Sequence, residues 1–165
     1  MSAARFTGAL CAFTACAIYG AVRRSAAEER LRRTEGVLAD IRRLGAAIGS
    51  LRLPLGRIAS QLAEEGSERA LWRGMSLAME NGLSFAEAYK SAPKPRLCAG
   101  ADALIMRLSA SLGSGDAASE TASVGAAAEE LKRLIEAERG GCARQGRLMG
   151  SLSMLLGLGL ALLIL

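Results

Sequence analysis

No charged residue occurs between Phe6 and Val22 or between Leu148 and Leu165, and these two apolar runs narrow the possible folds more than any other feature. They hold 17 and 18 residues, each spanning roughly 26 Å as a helix, enough for a bilayer core. Arg5 and Arg23 close the first run, and Arg147 precedes the second. Both read as transmembrane helices, at 6–22 and 148–165. The first also has the size of a signal-peptide core, with small residues at Ala15, Cys16 and Ala17. However, Arg23, Arg24, Arg30, Arg32 and Arg33 follow at once, and such a cluster resists translocation. The reading is therefore an uncleaved anchor.

Charge sets the expected topology. Of the 21 Lys and Arg, all but Arg5 lie between Arg23 and Arg147. The positive-inside rule puts that stretch in the cytoplasm and both termini across the membrane. The same Arg residues could suggest nucleic-acid binding, but all 16 acids share the region with them. Aromatic residues for base stacking are also scarce, at 4%, so no nucleic-acid partner is expected. Lipid headgroups account for the basic balance.

The central domain, residues 25–146, reads as a bundle of about six helices, making the chain all-α with flanking membrane helices. Ala and Leu dominate its apolar content, while strand-favouring residues are few. Leu31, Leu38, Ile41, Leu44, Ile48 and Leu51 stripe a long helix over 25–50. Pro54 ends it and opens a second helix that carries Leu55, Ile58 and Leu62 and stops at Gly66. Ser67 suits the N-cap of a third helix with Leu71, Trp72, Met75 and Met79, ending at Asn81–Gly82. Ser84 with Glu87 forms a capping box for a short fourth helix through Tyr89. Beyond Pro93 and Pro95, a fifth helix runs from about Leu97 to Leu112. Gly113, Ser114 and Gly115 break it. Asp116 then caps a last helix bearing Val124, Leu131, Leu134 and Ile135, with no Pro to separate it from the second span.

Catalytic chemistry finds little to work with. The chain has no His, hence no ready proton carrier near neutral pH and no imidazole ligand. Cys11, Cys16, Cys98 and Cys142 form no C-x-x-C pair and read as small apolar residues. Ser lacks a base partner, and no phosphate-cradling Gly loop precedes a Lys. Neither enzyme activity nor a cofactor or metal is expected. Trp72 reads as a core anchor.

Small residues recur at helical spacing in both spans. Gly8, Ala12, Cys16 and Gly20 mark the first, and Gly146, Gly150, Ser153 and Gly157 the second. Such stripes let membrane helices approach closely, against each other, a partner subunit or another copy. An oligomeric pore subunit is the competing class, but a pore-lining helix should carry polar residues, and 148–165 offers only Ser151 and Ser153.

The order of these parts resembles the stage III sporulation protein AB family. The likeness rests on the Arg23–Arg24 start, Pro54–Leu55, and Asn81-Gly82-Leu83-Ser84-Phe85-Ala86-Glu87-Ala88. Leu112-Gly113-Ser114-Gly115-Asp116 and the C-terminal Gly/Leu span complete it. The resemblance implies a fold like the cytoplasmic helical domain of the type II secretion and type IV pilus platform protein F. It further implies a platform or adaptor role in the channel between mother cell and forespore, in the mother-cell membrane. The implied partners are a secretion-type ATPase like stage III sporulation protein AA, other stage III sporulation membrane proteins, and membrane lipids. The family's Leu-Gly-x-x-Asp signature falls on Leu112, Gly113 and Asp116, followed by Glu120 where the family commonly has Gln. Gly113, Asp116 and Glu120 are thus the expected partner-contact residues.

Overall fold

The computed structural model describes the backbone of residues 2–51, 53–113 and 115–164. Side chains are described for Thr14, Ile18, Tyr19 and residues 21–50, 53–113 and 115–141. The described residues are all-α and form six helices: α1 (Ser2–Leu51), α2 (Leu55–Glu65), α3 (Arg69–Glu80), α4 (Phe85–Ser91), α5 (Ala101–Ser111) and α6 (Ala117–Ile164). They divide into two units, Arg30–Ala137 and the pair of end segments Met1–Glu29 with Glu138–Leu165.

The helices α1 and α6 each run without a break through the junction between apolar run and central domain. No Pro interrupts either one, and Ala, Arg and Glu at the first junction are good helix formers. The separate anchor and 25–50 helix expected from the pattern are therefore one helix. The expected flanking spans do not gain support. Among the described residues no helix is long and apolar enough to cross a membrane. The search covers only those residues. Most side chains of 6–22 and all of 142–165, including the stripe of Gly146, Gly150, Ser153 and Gly157, lie outside them.

Within Arg30–Ala137 the core follows the expected stripes. Leu38, Ile41, Leu44 and Ile48 of α1 are buried, joined by Val37. Ile58 and Leu62, then Leu71, Trp72 and Met75, face them from α2 and α3. Leu104, Ile105, Leu108 and Leu112 come from α5 and its end, with Val124, Leu131 and Ile135 from α6. Helix α1 meets α6 closely at Gly45, where a Cβ would stand 2.8 Å from Val124 Cγ1. A side chain there would push the two helices apart, so the crossing depends on glycine.

Two polar side chains sit fully buried on this apolar face. Thr34 donates its hydroxyl to the Arg30 carbonyl at 2.7 Å and accepts the Cys98 N–H at 2.9 Å, tying α1 to the loop before α5. Asp40 accepts from the Ser67 N–H at 3.0 Å, the Glu68 N–H at 3.3 Å and the Trp72 indole N–H at 2.8 Å. Its carboxylate thus satisfies the orphan donors at the start of α3 from another helix. This corrects the expected local cap. Helix α3 begins after Glu68, without a side-chain cap of its own, and the Ser67 N–H is already taken. Trp72 is the expected core anchor, 4% exposed, and its one polar atom is satisfied by Asp40.

Other local signals of the sequence match the structure. Pro54 stands at the N-cap of α2, and Gly66 ends it. Ser84 and Glu87 form the full capping box of α4, and these hydrogen bonds hold the Glu87 carboxyl below its ordinary value. Helix α5, by contrast, starts at Ala101 rather than Leu97. Residues 98–101 form a turn closed by the Ala101 N–H on the Cys98 carbonyl.

The loop between α4 and α5 is pinned by Tyr89, Lys94 and Asp102. The buried Tyr89 hydroxyl donates to Asp102 at 2.7 Å, and Lys94 contacts the other carboxylate oxygen at 3.1 Å. Burial, then the Asp102 hydrogen bond and charge, raise the Tyr89 hydroxyl far above its ordinary 10.0. At Asp102 burial pulls upward, but the Tyr89 and Lys94 contacts outweigh it and hold the carboxyl below its usual range. Above pH 10.0 the unfolded chain loses the Tyr89 proton while the folded chain keeps it, so stability falls as pH rises. Tyr89→Phe removes that proton. Its melting temperature should decline less between pH 9 and 11 than the wild-type value, and parallel decline would exclude this coupling.

A candidate partner-contact site at the turn between α5 and α6

The candidate site is built by a helix ending and another beginning within a few residues. Leu112 is buried and closes α5. Gly113 follows with φ +91°, a left-handed conformation that L side chains rarely adopt. The chain can therefore turn here only with glycine at little cost.

Asp116, just before α6, and Glu120 in its first turn then fix the turn. The Ser119 N–H donates to Asp116 Oδ1 at 3.2 Å, an N-cap interaction. The Gly113 N–H donates to Glu120 Oε1 at 2.7 Å. Gly113, Asp116 and Glu120, which the family resemblance groups together, are thus brought into one hydrogen-bonded corner. Glu120 occupies a structural position that periodicity alone does not reveal, because its partner is a backbone N–H seven residues back. Ser114 lies outside the described residues.

These carboxylates border an open cleft of about 440 Å³, lined by Ile48 near the end of α1, Leu53 before α2, Asp116 before α6, and Ala117, Ala118 and Glu120 of α6. Ile48 and Leu53 were not foreseen as site residues. Ile48 was legible only as part of the buried stripe, and Leu53 only as the residue before Pro54.

Ion pairing covers some carboxylates of the chain and leaves others, Glu64, Glu65, Glu80 and Glu136 among them, without a cation within 4.0 Å among the described residues. Glu28, Asp40, Asp102, Glu129 and Glu130 each have a Lys or Arg within 4.0 Å. Among the described residues, no cation stands at that distance from Asp116 or Glu120. The cleft therefore combines two carboxylates with an apolar floor, suited to a partner segment carrying both a cation and an aliphatic side chain.

The family model for stage III sporulation protein AB matches residues 5–165, nearly the whole chain. No curated protein and no solved structure matches it.

Proposed function

The chain belongs to the stage III sporulation protein AB family, whose role is in stage III sporulation, and from this premise we propose that it is a non-enzymatic platform component of the channel complex between mother cell and forespore. In this reading it sits in the mother-cell membrane with its central domain in the cytoplasm. It docks a secretion-type ATPase or sibling membrane subunits. The membrane placement is supported by the two uncharged runs and the Arg residues flanking them.

One observation carries the docking reading. The signature residues Gly113 and Asp116 converge with Glu120 beside an open cleft, and both carboxylates lack an ion-pair partner among the described residues. The test is Asp116→Asn, because Asn caps a helix nearly as well but carries no charge. Capture of the ATPase by the full chain should weaken about tenfold, as for loss of one close charge pair, and its salt dependence should become shallower. The melting temperature should stay almost unchanged. Capture that survives intact would return Asp116 to the role of a cap alone.

A further inference from the structure

Toward its N-terminal end, α1 changes surface character within two turns. Ile18, Tyr19 and Val22 are exposed by 64%, 60% and 61%. One turn beyond Tyr19, the Arg23 guanidinium carbon stands 5.4 Å from the Tyr19 ring centroid. The neighbouring Arg24 is neutralised by Glu28 at 3.2 Å. Arg23 has no such carboxylate among the described residues. A second cation over a ring offers a contrast, since Lys94, 5.2 Å from the Tyr89 ring centre, is paired with Asp102 at 3.1 Å.

We propose that Ile18, Tyr19, Val22 and Arg23 form a binding site for an anionic phospholipid headgroup, with Tyr19 at the boundary between acyl chains and water. The proposal rests on the membrane placement given above and adds which lipid the chain selects and where. An amphipathic tyrosine ring partitions to that boundary, its apolar body inward and its hydroxyl outward. A guanidinium resting on the ring is held in one orientation, leaving its N–H edge for a phosphate, which it binds in a planar fork. Ile18 and Val22 supply the apolar face below. The occupant is chosen by charge: an unneutralised cation directly above an exposed aliphatic surface matches an anionic lipid, not a zwitterionic one.

The test uses the full chain in detergent, incubated with equal amounts of phosphatidylglycerol and phosphatidylcholine, with retained lipid counted by native mass spectrometry. Wild type should retain phosphatidylglycerol in excess, and Arg23→Gln should reduce that excess about fivefold, the effect of one arginine at an anionic surface. Tyr19→Ala should lower it as well, by freeing the guanidinium. Arg24→Gln changes the net charge by the same amount but leaves the guanidinium on the Tyr19 ring in place, so its effect should be clearly smaller. Equal losses for Arg23→Gln and Arg24→Gln would mean diffuse attraction and overturn the site. So would a Tyr19→Ala chain that keeps its lipid preference but changes its cross-linked oligomer pattern, which would assign the face to a partner helix. Carbonate extraction of cell membranes reads the underlying placement separately. A wild-type chain released by carbonate sinks the membrane reading itself, whereas a retained chain without lipid preference sinks only this inference.

Discussion

Asp40→Ala is expected to lower the unfolding free energy by about 3 kcal/mol, since it strands the Ser67 and Glu68 N–H groups and the Trp72 indole together. Each buried donor left without a partner costs about 1–3 kcal/mol, and water reaching the vacated space would recover part of that. For a unit the size of Arg30–Ala137 the melting temperature should drop by roughly 10–20 °C, read by circular dichroism on the full chain in detergent. Trp72→Phe removes only one of the three donors and should cost about 1 kcal/mol. The double variant should cost less than the sum of the two, because Trp72→Phe also removes one donor that Asp40→Ala would strand. Strict additivity, or a mild Asp40→Ala, would mean that α3 does not depend on this carboxylate.

Leu131→Ala carries the second large effect. Leu131 is 0% exposed on α6, within the core shared by α1, α3 and α5. Truncation of a leucine so enclosed removes its transfer free energy and leaves a cavity, costing about 3–5 kcal/mol. Leu134, three residues on, is only half-buried against the same core and should cost less than half as much when changed to Ala. Equal costs would mean that α6 presents a different face to the bundle.

Apolar rhythm and local punctuation carried much of this architecture into the sequence. A proline ended α1's stripe, a capping box opened α4, and an aspartate opened α6, each through chemistry confined to one turn of helix. The buried polar ties were invisible for a matching reason. Asp40 stands near Arg42 and Arg43, so its local context reads as a solvated charged face. Its partners lie 27 to 32 residues away and are backbone and indole donors without a sequence signature. Ser67 looked like a cap because serine often is one, but a better acceptor arrived from another helix. At the candidate site, Gly113 and Asp116 were readable as a break and a cap. Their closure by Glu120 depends on a left-handed residue placing one N–H toward α6, and periodicity says nothing about where a single N–H points.

Time enters through the way the helices are wired. Helices α2 to α5 each pack on the next one along the chain, α2 on α3, α3 on α4 and α4 on α5. Such local pairings close short loops and form quickly, in microseconds to milliseconds. The residues that complete the core, Val124, Leu131 and Ile135, emerge last from the ribosome, which adds about 5–20 residues per second. For an interval on the order of seconds, therefore, the nascent chain presents a nearly assembled bundle whose seat for Leu131 is open to water. Aggregation during synthesis should be concentrated in that interval, and a translational pause that falls after α5 has emerged and before Leu131 has would lengthen it.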